Sequence, residues 1–169
     1  MNYFELFNIP VSLQVDVTTI KTKFYELSRK YHPDFYLQAT EADQEEALDK
    51  SSLLNKAFKV FSNREETLKY VLQFKGLLVD EEKYKLPPLF LMEMMELNEM
   101  LMDAKMEEND ERINNTRLQI LSLENELYEN IKHTLENYKE GTTPEKELLP
   151  VKDYYFKKKY LARILANLK

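Results

Sequence analysis

Residues 16–34 read DVTTIKTKFYELSRKYHPD, and the fold is decided inside this stretch. Apolar side chains fall at Val17, Ile20, Phe24, Leu27 and Tyr31, in steps of three and four that put them on one face of an α-helix. Asp16 stands where that helix needs an N-cap. Pro33 ends it, because proline has no N–H to donate and pushes the preceding residue out of the helical region. A second periodic run opens on Glu41, Asp43, Glu45 and Glu46, acids that suit the positive end of a helix. Its inward face reads Ala47, Ser51, Leu54, Phe58 and Phe61, with Asn55 beside it. Two helices joined by so short a connection pack as an antiparallel hairpin, and the apolar stretch 3–7 is placed to lie across its open side.

The pattern continues past this hairpin. A helix is expected over 66–74, closed by Gly76 as a C-cap. From 77 to 88 the periodicity breaks up and ends in Pro87-Pro88, so the expected division is a domain over 1–76, a linker over 77–88 and a second domain over 89–169. In the second domain a helix over 89–105 places Phe90, Met94, Leu97, Leu101 and Ala104 inward, and Met100 is also expected in the core. A longer helix over 110–138 turns in Ile113, Thr116, Ile120, Leu123, Leu127 and Ile131. Gly141 ends it, Thr143-Pro144 is expected as cap and first residue of a restart, and Pro150 as a kink or fresh start before a last helix over 151–168. The fold class is therefore all-α: a helical hairpin followed by a three-helix bundle.

Composition narrows the chemistry. Only two glycines, Gly76 and Gly141, occur in 169 residues, which counts against hairpin-rich and phosphate-cradling folds. The net charge of −6 argues against nucleic acid as a partner. There is no cysteine, so disulfides, thiolate metal sites and a cysteine nucleophile are excluded. His32 and His133 lack ligand spacing, and the acids Glu107, Glu108, Asp110 and Glu111 sit at a helix junction with no nucleophile beside them; no catalytic residue, metal ligand or cofactor is expected. No apolar run approaches the ~20 residues of a membrane span, and the first residues resemble neither a signal nor a transit peptide. The expected address is the cytoplasm of a bacterium.

A helix with Lys21, Lys23, Arg29 and Lys30, then Tyr31-His32-Pro33-Asp34, then a helix with Asn55 and Ala57, resembles the J-domain. That module binds heat-shock chaperones of the DnaK type and stimulates their ATP hydrolysis. The resemblance implies that His32 and Asp34 contact the ATPase side of the chaperone and that Pro33 fixes the loop. A short carboxylate beside a stiff proline can bond a partner arginine at little entropic cost. Lys21, Tyr25 and Arg29 lie away from the apolar stripe, where such charges steer an acidic partner; Lys23 and Lys30 are grouped with them. Two departures stand out: Phe35-Tyr36 where the family has a basic residue, and Asn63-Arg64 where it has an aspartate-proline step.

Downstream, Phe90-Leu91-Met92-Glu93-Met94-Met95-Glu96-Leu97 resembles the HscB (Jac-type) co-chaperones of iron–sulfur cluster assembly, a resemblance that covers nearly the whole chain. At about 100° per residue, Met92, Met95, Glu96, Glu99 and Asp103 cluster opposite the core face, with Leu91 and Met102 at their flanks. Exposed methionines beside carboxylates mark an adaptable protein interface. The resemblance implies that Leu91, Met92, Met95, Glu96, Glu99 and Asp103, with Tyr160 from the last helix, hold an IscU-type iron–sulfur scaffold protein, and that the other partner is a DnaK/HscA-type chaperone. A J-domain protein with a different client, and a helical adaptor without chaperone contact, stay open as alternatives.

Overall fold

The computed structural model describes residues 1–168. Among them the chain forms helices and no strand. It divides into two compact units: 1–75 together with 138–143, and the remaining described residues.

The first unit contains α1 (Tyr3–Leu6), α2 (Val17–Lys30), a 3₁₀ turn (Pro33–Tyr36), α3 (Glu41–Phe61) and α4 (Arg64–Phe74). Each α-helix starts on a side chain that accepts otherwise unpaired N–H groups: Asn2 from Glu5, Asp16 from Thr18 and Thr19, Thr40 from Asp43, Asn63 from Glu66, the economy that favours short polar residues at these positions. The Thr19 hydroxyl, with the N–H groups of Thr19 and Thr18, holds the Asp16 carboxyl below its ordinary pKa. Asn63 thereby accounts for the Asn63-Arg64 step. Gly76 adopts φ 73° just beyond α4, as its place at a helix end requires.

The core of this unit is aromatic. Phe61 meets Phe4 at 5.0 Å and Phe7 edge-on at 5.4 Å, while Tyr3 stacks on Tyr70 at 4.4 Å. The N–H of Tyr3 also donates to the Tyr70 hydroxyl at 2.9 Å. Phe24 stacks on Phe58 at 4.1 Å and joins α2 to α3. Of the expected inward face of α3, Ala47, Leu54 and Phe61 are buried, Ser51 and Phe58 are half-buried, and Ala57 is buried in addition. Lys23 is drawn into the scaffolding: its ammonium donates to the carbonyls of Phe7 and Asn8 at 3.2 and 3.1 Å, fixing the end of α1 to the side of α2. Within the segment 138–143, Glu140 accepts from Lys75 at 2.6 Å and from the Tyr138 hydroxyl; these two bonds, Lys75 first, lower its pKa.

The second unit contains α5 (Pro88–Met106), α6 (Asp110–Asn137), a 3₁₀ turn (Glu145–Leu148) and α7 (Leu149–Ala166), with α6 packed against both α5 and α7. Phe90, Met94, Leu97 and Leu101 of α5 form one cluster with Ile120 of α6 and Leu161 and Ile164 of α7. Three expectations change. The segment 77–88, expected as a linker, is packed structure in this unit: Tyr84 stacks on Phe156 at 4.5 Å, its hydroxyl donates to Asp153 at 2.8 Å, and Glu82 pairs with Lys152 at 2.8 Å. Burial first, then the Asp153 carboxylate, pushes the Tyr84 phenol up to about 12. Thr143 does not cap the next helix; its hydroxyl accepts from the Lys139 N–H and closes the turn containing Gly141 (φ 80°), and the restart is the 3₁₀ turn with Pro144 before it. Met100 is 41% exposed instead of buried, because it lies about a quarter-turn from the centre of the core stripe. Pro150 falls in the first turn of α7, where its missing N–H has no partner to lose.

The two neighbouring methionines of α5 make a direct test of this register. Met94 is fully buried and Met95 is 66% exposed. Met94→Ala is expected to lower stability by about 2–5 kcal/mol in urea unfolding of the full chain, and Met95→Ala to stay within ~0.5 kcal/mol. Equal losses would place the helix in another register. Lys23→Ala is expected to cost on the order of 1 kcal/mol and to speed amide hydrogen exchange in residues 3–9, whereas Lys21→Ala leaves both unchanged.

Candidate functional site

Two surfaces gather the residues singled out in the sequence, one in each unit. In the first unit, Tyr31 closes α2 and His32 takes an extended conformation (φ −64°, ψ 128°) ahead of Pro33. Its Nδ1 accepts from the Asp34 N–H at 3.2 Å and lies 3.6 Å from the Asp34 carboxylate. The neutral imidazole therefore keeps its proton on Nε2. Both side chains stay open to solvent, 54% for His32 and 79% for Asp34.

The turn beneath them is braced from two directions. The Tyr36 hydroxyl donates to the Lys30 carbonyl at 3.0 Å, and the Gln44 amide donates to the carbonyls of Leu37 and Ala39 at 3.3 and 3.2 Å. Beside it, Tyr31 receives two ammonium groups on its ring, Lys30 at 5.2 Å and Lys50 at 4.9 Å, and Lys50 also pairs with Glu46 at 2.7 Å. A rigid turn thus displays one imidazole and one carboxylate.

Of the basic group expected on α2, the helix brings Lys21, Tyr25 and Arg29 into one exposed row with a spacing of four. Lys23 and Lys30 leave it, the first for the end of α1 and the second for Tyr31. The sequence reading missed Tyr36 and Gln44, whose partners lie five to seven residues away through a turn that periodicity does not describe. It also passed over the exposed apolar pair Phe35 and Leu37 at the tip; the lack of a charge after Asp34 was the available signal.

In the second unit the exposed face of α5 carries Met92, Met95, Glu96, Glu99 and Asp103, all open to solvent. Leu91 is half-buried at its edge, as is Tyr160, whose ring meets Phe90 edge-on at 6.2 Å. Met106, 83% exposed, extends the same face beyond Asp103, and the 3.6-residue period would have found it. Among the described residues no set of three His, Cys, Asp or Glu is gathered to hold a metal ion, and no helix is long and apolar enough to cross a membrane.

Both units have relatives. Residues 2–70 match the DnaJ domain family and residues 86–169 match the HSCB C-terminal oligomerisation domain. Proteins named co-chaperone protein HscB homolog are similar to this chain in Vibrio parahaemolyticus (36% identity over 104 residues, 61% of each chain) and Vibrio vulnificus (37% over 102 residues, 60% of each). These alignments span about three-fifths of the relatives' length. Two solved structures share the fold at 24% identity. Chaperone HscB from Vibrio cholerae has a TM-score of 0.74, with 99% of this chain and 95% of that one covered. The human co-chaperone protein HscB has a TM-score of 0.78, with 99% and 80% covered. With a DnaJ domain over 2–70 followed by an HSCB C-terminal domain over 86–169, together nearly the whole chain, the chain belongs to the HscB family.

Proposed function

We propose that this protein stimulates the ATPase of a DnaK/HscA-type chaperone and brings to it an IscU-type scaffold protein bearing an iron–sulfur cluster, in the bacterial cytoplasm. The observation that carries this reading is the braced His32-Pro33-Asp34 turn on a chain whose second unit is of the HSCB type. Hydrolysis is the work of the chaperone; this chain contributes contacts. Asp34 is an exposed carboxylate on a turn that does not need to be ordered on binding, so a charge-assisted bond to a partner arginine loses little to entropy. Lys21 and Arg29, with Tyr25 between them, give an acidic chaperone surface a direction of approach.

The α5 face serves the second partner. Met92 and Met95 supply apolar, adaptable contact area, and Glu96, Glu99 and Asp103 set orientation by charge. Holding the scaffold on one unit and the chaperone on the other raises the effective concentration of each for the other without a new contact. No cofactor of its own is required, and the cluster is cargo.

Two measurements test this. His32→Gln and Asp34→Asn should each return the chaperone's ATP hydrolysis to its unstimulated rate, with the helical circular dichroism of the chain retained; full stimulation by both variants would refute the chaperone role. Met92→Ala combined with Met95→Ala should weaken scaffold binding by about 2 kcal/mol or more, roughly thirtyfold, in calorimetric titration. Unchanged affinity would remove α5 from the interface.

A further inference from the structure

A groove of about 510 Å³ lies in the second unit between the segment 82–86, α7 and the first turns of α5. Its floor is aromatic and apolar: Tyr84 stacked on Phe156, with Leu86, Leu91 and Tyr160 around them. Its rim is cationic. Lys83 and Lys85 come from the segment, where exposed and half-buried residues alternate, so both project to one side. Lys159 and Arg163 come from α7, four residues apart and thus on one face.

All four cations are exposed, and none has an ion-pair partner among the described residues. The one acid among the lining residues, Glu82, is already neutralised by Lys152. Like charges at a spacing of four repel along a helix. A chain of net charge −6 with 30 acidic side chains nevertheless leaves this cluster without a counter-charge. The groove is also preorganised: the Tyr84 stack, its bond to Asp153 and the Glu82–Lys152 pair hold the segment 82–86 against α7 before anything binds.

We propose that this groove docks an extended acidic segment of a partner polypeptide. Its carboxylates pair with Lys85, Lys159 and Arg163, and an aromatic or long apolar side chain sits on the Tyr84–Phe156 floor. Leu91 and Tyr160 belong both to the groove and to the surface assigned above to the scaffold protein, so the inference that the segment is the scaffold's own rests on that reading. A uniformly charged polyanion fits less well, because it has nothing to set on the apolar floor of Tyr84, Phe156, Leu86 and Leu91.

The test uses the full chain and a fluorescein-labelled ten-residue peptide of Glu and Asp around a central Phe. The controls are its Gln/Asn counterpart and a ten-nucleotide oligothymidylate. The acidic peptide should bind saturably and weaken several-fold between about 50 and 300 mM salt. Lys159→Glu with Arg163→Glu should weaken it about tenfold or more, and Lys159→Gln with Arg163→Gln by less. Met92→Ala with Met95→Ala should leave peptide binding unchanged. Equal binding of the neutral peptide or of the oligonucleotide, or indifference to both α7 double variants, overturns the proposal. If the scaffold protein binds through Met92 and Met95 while the acidic peptide does not bind, the groove assignment falls and the scaffold reading survives. If the peptide binds in the groove while the scaffold protein does not bind the chain, the groove stands as a site for another acidic polypeptide and the scaffold reading falls.

Discussion

The local geometry of the first unit depends on Pro33. A proline at that point cannot donate to the Arg29 carbonyl and clashes with a helical residue before it, so α2 ends at Lys30. The same residue is at ease at the head of the 3₁₀ turn that follows, where no N–H is required. His32, forced into an extended conformation between the two, becomes the cap of that turn and uses Nδ1 to do so. The imidazole and the carboxylate are thereby displayed as a consequence of the chain's own stereochemistry. Tyr36 and Gln44 then hold the turn against α2 and α3, so a partner meeting it would have little of it left to order.

What the sequence made legible follows from the range of the forces involved. Helix periodicity, N-caps and the stop at Pro33 are local, and they predict α2, α3 and the five core residues of α5 correctly. Lys23 was not legible as a tether, because its partners, the carbonyls of Phe7 and Asn8, depend on how α1 is set against α2. The segment 77–88 looked like a linker for a related reason. Its polar, proline-bounded composition is that of a loop, and only the return of α7, some seventy residues later, gives Tyr84 its Phe156 and Asp153. Met100 failed at the margin of a stripe, where an angular argument is least decisive. The exposure of Met92 and Met95 was legible because their positions lie opposite Phe90 and Leu97.

Charge is partitioned by sign along this acidic chain. The α2 row of Lys21 and Arg29 is positive, the α5 face with Glu96, Glu99 and Asp103 is negative, and the groove beside it is positive again. At physiological ionic strength such fields fade within about 8 Å, so each acts on what touches it and scarcely on its neighbours. A chain built this way can present different electrostatic requirements to different partners, which is a means of discrimination more than of raw affinity.

α5 sets the terms for the second unit. Its buried residues are Phe90, Met94, Leu97, Leu101 and Ala104, yet Met92, Met95, Met102 and Met106 are all more than half exposed. A helix apolar on one stripe belongs at the surface of a protein, and a helix apolar all round belongs inside one. α5 is in between: α6 and α7 pack against its buried stripe, and the other side carries exposed apolar side chains with carboxylates among them. Methionine is the side chain for which that compromise costs least, since it adapts its shape to a neighbour without demanding one. Such a helix fills its buried stripe with α6 and α7 and leaves a second apolar stripe open to solvent among the described residues.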